Sequence, residues 1–106
     1  EPLVGRFDVT CQLGRAKVPF SVSADDPAVK ALIDTYNEFT GKHAEPFAMG
    51  GGTYARQMGG AGVAFGASFD EEESNAHQAN ECINVEQFKL HAQICLEAMY
   101  RMFTAD

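Results

Sequence analysis

Leu3 to Thr10 alternates apolar and polar positions through Leu3, Phe7 and Val9, and Lys17 to Ser23 alternates again through Val18, Phe20 and Val22. Alternation with a period of two is the pattern of a strand with one buried face, so these segments, separated by Leu13, Gly14 and Arg15, predict a hairpin or ribbon edge. The period then changes. Val29, Leu32, Ile33, Tyr36 and Phe39 recur at helical spacing, after Asp25, Asp26 and Pro27 and before Thr40 and Gly41. An acidic cap with proline in the first turn, closed by glycine, predicts a helix over about 27–39. Glu45 to Met49 reads as a short strand entering a glycine turn, Thr53 to Met58 as a helical turn leaving it, and Val63, Ala64 and Phe65 as a buried strand bounded by glycines. After a polar, acidic stretch from Ala67 to Glu81, Asn84 caps a second long helix whose apolar positions are Val85, Phe88, Ala92, Cys95, Met99 and Met102.

Beyond the ribbon the order is therefore helix, strand, loop, short helix, strand, with a candidate functional loop at a strand end, where open α/β sheets place ligands. The expected class is α/β, and from about residue 24 onward the chain reads as half of a layered domain. Two long helices over two core strands leave a sheet edge and a sheet face uncovered, which predicts completion by other residues and a tendency to self-associate.

The chain has 106 residues, enough for one domain with a core but not for a deep pocket, so a site built here is shallow or completed from elsewhere. Its net charge of −7 argues against nucleic-acid and anionic-membrane partners, both of which need a positive patch. Cys11, Cys82 and Cys95 are odd in number and widely spaced, without the paired spacing of a zinc knuckle, and read as reduced thiols of a cytoplasmic protein. No apolar run reaches the length of a membrane helix, and the residues from Glu1 lack the regions of a signal peptide.

The candidate chemistry lies in Gly50, Gly51, Gly52, Thr53, Tyr54, Ala55 and Arg56, and in His77, Gln78, Ala79, Asn80 and Glu81, which begin twenty-one residues after the arginine. Three glycines either form an ordinary tight turn or let backbone amides approach a ligand with no Cβ in the way. The order of residues after them excludes a Walker-type phosphate loop and a dinucleotide fingerprint. Thr53 and Arg56 make a carboxylate cradle if their side chains converge, the alternative being a surface arginine. His77 is a metal ligand or a surface histidine, and Glu81 either supports its imidazole from behind or caps the following helix. His43 and His91 read as solvated residues, and the run Asp70, Glu71, Glu72, Glu73 as a solvated loop, because four adjacent carboxylates cannot converge on one ion.

Taken in order, Ala48 to Arg56, Val63 to Gly66 and Ala76 to Glu81 resemble the C-terminal catalytic segment of bacterial dipeptidases related to carnosinases, in the dinuclear-zinc aminoacylase and carboxypeptidase superfamily. The resemblance runs from about Val18 to Met102 and includes the helix start at Asp25, Asp26 and Pro27. It implies a partial three-layer α/β zinc-peptidase catalytic domain, its C-terminal half over residues 25–106, preceded over residues 1–24 by a short β ribbon left from a lid domain and its crossover. His77 matches the metal ligand contributed from the C-terminal half, and Gly51, Gly52 and Thr53 match the loop that holds the substrate's backbone or C-terminal carboxylate. Arg56 follows in the same motif, and Asn80 and Glu81 match its tail as supporting residues.

The departures are as informative. The further histidine, the bridging aspartate, the other carboxylate ligands and the glutamate general base of the family belong to a long N-terminal half that these residues do not include. Gly5 to Asp8 resemble a lid strand, yet only a few residues separate them from Lys17 to Phe20, which resemble the lid's return. The resemblance thus implies a piece of a zinc-dependent dipeptidase acting on dipeptides or short peptides, with two zinc ions in the parent enzyme. The chain alone is expected to bind zinc weakly and to be inactive. Its expected partners are the peptide substrate and the missing half of the catalytic domain. An N-acyl-amino-acid deacylase of the same superfamily is the rival activity, although Thr53, Tyr54, Ala55 and Arg56 favour the dipeptidase branch. A non-catalytic binding or assembly module that keeps the fold is the rival of a different kind.

Overall fold

The computed structural model describes residues 8–66, 69 and 75–104. Two α-helices, α1 (Pro27–Thr40) and α2 (Val85–Thr104), are separated in the chain by a short 3-10 turn over Tyr54–Met58.

Both helices begin where their sequence directs, and α1 ends there as well. Asp26 caps α1 by accepting a hydrogen bond from the Ala28 amide at 2.8 Å, ahead of Pro27 in the first turn, where a missing N–H leaves no bond unmade. Gly41 ends the helix at φ 71°, a left-handed conformation that suits glycine, and its amide closes on the Asn37 carbonyl at 2.8 Å. In α2 the Asn84 carboxamide oxygen accepts from the Glu86 and Gln87 amides at 3.0 and 3.1 Å.

The helices pack on each other through Ile94 and Ala98 of α2, each 1% exposed, and through Val29 and the fully buried Thr35 of α1. Thr35 meets its buried hydroxyl's need locally by donating to the Ala31 carbonyl at 2.6 Å. Phe69 is buried too, with its ring stacked on Tyr36 at 6.1 Å between centroids.

The predicted strands are the main correction. Residues 17–23, 45–49 and 63–65 form no strand, and there is none elsewhere among the described residues. Val63, expected in a buried strand, is 37% exposed, and Phe47 is 87% exposed. A strand satisfies its amides and carbonyls only by pairing with a neighbour, and the regular neighbours on offer here are helices, whose backbone bonds are already made. The ribbon predicted over residues 3–10 lies largely outside the described residues, as does the acidic run 70–73.

The consequence is an open arrangement. The radius of gyration is 18.8 Å, against about 13 Å for a compact domain of this length. The accessible surface is 9074 Å², against roughly 5800 Å² for a compact protein of the same mass. Much of the excess is apolar: Phe88, Leu96, Met99 and Phe103 of α2 face solvent. A groove of about 370 Å³ between α1, α2 and the 58–65 segment is lined by Leu32, Val63, Phe65, Cys95 and Met102 among others. No helix is long and apolar enough to cross a membrane among the described residues.

Candidate functional site

The glycine loop leads directly into the 3-10 turn. Thr53 precedes the turn in an extended conformation, φ −128° and ψ 166°, and its carbonyl accepts the Arg56 amide at 3.2 Å. Ala55 anchors the turn by being 7% exposed, while Tyr54 beside it is 94% exposed. Gly59 and Gly60, at φ 60° and 86°, end the turn in a conformation that costs other residues steric strain.

The turn carries Arg56 back over the glycines. A Cβ placed on Gly52 would lie 3.2 Å from Arg56 Nη1, 3.6 Å from Cζ and 3.7 Å from Nη2, so the guanidinium covers the face of this residue that a side chain would occupy. The Arg56 Nε is buried and makes no hydrogen bond. A guanidinium offers a rigid fork of donors suited to a carboxylate, and a buried donor without an acceptor costs free energy until one arrives. The Arg56 guanidinium thus lies on the Gly52 side of the loop. Thr53 is half-buried, and its hydroxyl makes no capping bond to the turn.

The next glycine has a different neighbour. The Met49 methyl carbon lies 3.6 Å from the Cβ position of Gly51, in ordinary van der Waals contact. Consecutive glycines are therefore overlain by a charged group and an apolar one. Nothing in the sequence marks Met49 as a neighbour of Gly51, whereas Arg56 stands out as the only charged residue between Glu45 and Asp70.

His77 lies in a loop of unusual backbone. Asn75, His77 and Asn80 have φ of 51°, 62° and 62°, and the Gln78 amide donates to the Asn75 carbonyl at 2.9 Å. All three lie in the left-handed region, which is uncommon outside glycine and in which asparagine and histidine are both enriched. His77, Asn80 and Glu81 are all exposed. Among the described residues no hydrogen bond or ion pair joins His77 to Glu81 or to the glycine loop, and no three His, Cys, Asp or Glu side chains are grouped to hold a metal ion. Among the described residues His77 thus offers a single imidazole, and a metal held there would take its other ligands from outside them.

Elsewhere, His43 is exposed as expected, whereas His91 is half-buried, with its Nε2 3.4 Å from the Cys95 sulfur one helical turn on. The thiols of Cys11 and Cys95 are free. Asn37, not noticed in the sequence, grips the loop after α1 at two points: its amide nitrogen donates to the Ala44 carbonyl at 3.2 Å, and its oxygen accepts the Ala44 amide at 2.8 Å.

Residues 4–101 match the family model of Peptidase family M20/M25/M40. Among curated proteins, a "Putative dipeptidase" of Staphylococcus epidermidis is 43% identical over 103 residues, covering 97% of this chain and 22% of the relative. "Putative dipeptidase SSP1012" of Staphylococcus saprophyticus is 42% identical over 91 residues, 86% of this chain and 19% of its own length. "Putative dipeptidase SH1171" of Staphylococcus haemolyticus is 43% identical over 96 residues, 91% of this chain and 20% of its own. The chain thus spans about a fifth of the length of the curated relatives it matches. No solved structure matches it.

Proposed function

The chain belongs to Peptidase family M20/M25/M40, and on that premise we propose that it is the C-terminal catalytic portion of a zinc-dependent dipeptidase. In this proposal Gly51, Gly52 and Thr53 receive the substrate's C-terminal end, Arg56 binds its carboxylate, and His77 supplies one metal ligand supported by Asn80 and Glu81. The general base and the remaining ligands come from residues outside these 106, so the chain alone turns over no substrate. Zinc, when bound in the completed site, supplies polarisation of the scissile carbonyl and an activated water. The residues here hold and orient the peptide.

The observation that carries this reading is the Arg56 guanidinium lying over Gly52 with its Nε buried and unpartnered. A donor of that kind beside a residue lacking a Cβ is prepared for an anion that approaches the backbone closely, and the carboxylate of a short peptide has that shape and charge.

The open architecture fits the same account. Residues 45–49 and 63–65 become strands of a three-layer α/β domain once partner strands are present, and the exposed face of α2 packs against that sheet. Residues 1–24 lead in from a lid domain. Without those partners the exposed apolar surface favours self-association of the 106-residue chain.

The test is hydrolysis of dipeptides by the enzyme completed upstream of these residues, with and without chelator. Chelator-sensitive cleavage that is abolished by His77→Ala, with a large rise in KM for Arg56→Ala, is the expected result. Full activity in both variants would overturn the assignment.

A further inference from the structure

Helix α2 is apolar on two opposite sides. At about 3.6 residues per turn, Val85, Phe88, Ala92, Leu96, Tyr100 and Phe103 fall within about one-third of its circumference, and Ile94, buried against α1, lies diametrically across from them. All six are exposed. A helix with one wet face carries its apolar residues in a single stripe, whereas α2 carries a second stripe that points away from α1.

We propose that this second stripe pairs with the same stripe of another copy of the chain, forming an antiparallel dimer through α2. Its own spacing favours that partner: successive positions are 3, 4, 4, 4 and 3 residues apart, the same in either direction, with Ile94 at the midpoint. Two copies related by a two-fold axis at that level set Val85 against Phe103 of the second copy, Phe88 against Tyr100, and Ala92 against Leu96. Each contact is made twice, as an isologous interface requires. The small Ala92 leaves room for Leu96, and Phe88 with Tyr100 is an aromatic pair. The area is adequate too. Phe88, Tyr100 and Phe103 are 54%, 64% and 87% exposed, which at roughly 200 Å² a ring is about 400 Å² per copy. With Val85 and Leu96, 63% and 69% exposed, the stripe approaches the roughly 800 Å² that each partner buries in a standard interface. In the completed enzyme the sheet takes this face; in the 106-residue chain the surface that matches it is its own. The dimer gives a geometry to the self-association proposed above and rests on no other part of the dipeptidase assignment.

The experiment measures the molar mass of the 106-residue chain by sedimentation equilibrium over a concentration series, for the parent, Leu96→Glu, Ala92→Lys and Gln12→Glu, with helical content followed by circular dichroism. The parent and Gln12→Glu, which adds one negative charge outside α2, are expected to reach a dimer and stop there. Leu96→Glu and Ala92→Lys should each raise the dissociation constant at least about tenfold, because each buries a charge without a partner. An equimolar mixture of these two variants should recover the dimer, since the antiparallel register sets position 96 of one copy against position 92 of the other; recovery also shows that both variants are folded. A parent chain that stays monomeric or grows beyond a dimer, association that Leu96→Glu does not weaken, or a mixture that stays dissociated would overturn the antiparallel dimer. None of these results touches the dipeptidase assignment, which stands or falls on cleavage by the completed enzyme.

Discussion

Arg101 of α2 joins Glu38 of α1 by two hydrogen bonds, Nη1 to Oε1 at 3.2 Å and Nη2 to Oε2 at 2.5 Å, while its Nε donates to Glu97 at 2.9 Å. One guanidinium thus ties together the two helices that carry most of the buried residues, with the bidentate geometry that only arginine provides. The hydrogen bond from Arg101, and then its charge, hold the Glu38 carboxyl below its ordinary value of 4.5. A depressed folded value means that the stabilisation is fully present above the ordinary carboxylate range and is lost as pH falls through the lower value of the folded state. Helical content followed by circular dichroism during acid titration should therefore fall less steeply in Glu38→Gln, which has no proton to take up there. Identical acid transitions in the two proteins would show that the ion pair does not couple to helix docking.

The Asn37 grip on Ala44 ties α1 to the loop that follows it. Truncation to alanine leaves the Ala44 amide and carbonyl without the partners they now have. Asn37→Ala should cost about 1–3 kcal/mol, the usual penalty for part-buried polar groups left unpaired. Asn37→Asp keeps the acceptor for the Ala44 amide but loses the donor to its carbonyl, and should fall between the parent and Asn37→Ala in denaturant melts.

Local signals made the helices legible in the sequence. Asp26, Pro27, Gly41 and Asn84 act within a few residues of themselves, and the structure uses them as caps and stops at the expected places. The strands were not legible in the same sense, because the apolar composition of Val63 to Phe65 says nothing about a pairing partner, and among the described residues no strand forms. The grip of Asn37 on Ala44 and the reach of Arg101 to Glu38 leave no periodic trace at all. At the site, the glycine triplet and Arg56 were visible as a motif, whereas the pairing of Arg56 with Gly52 depends on how the 3-10 turn folds back.

That folding back makes Gly52 sensitive to the smallest substitution. The methyl group of Gly52→Ala would sit 3.2 Å from Arg56 Nη1 and push the guanidinium back by a few tenths of an ångström. In the completed enzyme KM should rise by about tenfold, the equivalent of roughly 1.4 kcal/mol of carboxylate binding, with kcat less affected. Gly50→Ala, whose added Cβ meets nothing within 4 Å, serves as the control and should be close to neutral. Equal effects of the two substitutions would argue against an arginine cradle at Gly52.

His77 permits a sharper separation of stability from function. At φ 62° its backbone lies where a Cβ costs about 1–2 kcal/mol, and glycine removes that cost while adding roughly 0.5–1 kcal/mol of freedom to the unfolded chain. His77→Gly should therefore be as stable as the parent or up to about 1.5 kcal/mol more stable, and more stable than His77→Ala, which keeps the strain. If the imidazole is a metal ligand, both variants lose zinc and dipeptidase activity together, so the more stable protein is an inactive one. Thermal melts of the completed enzyme, read beside its zinc content and its hydrolysis of Ala-Leu, distinguish the cases. A His77→Gly enzyme that melts higher yet retains its zinc and its turnover would reduce His77 to a turn residue.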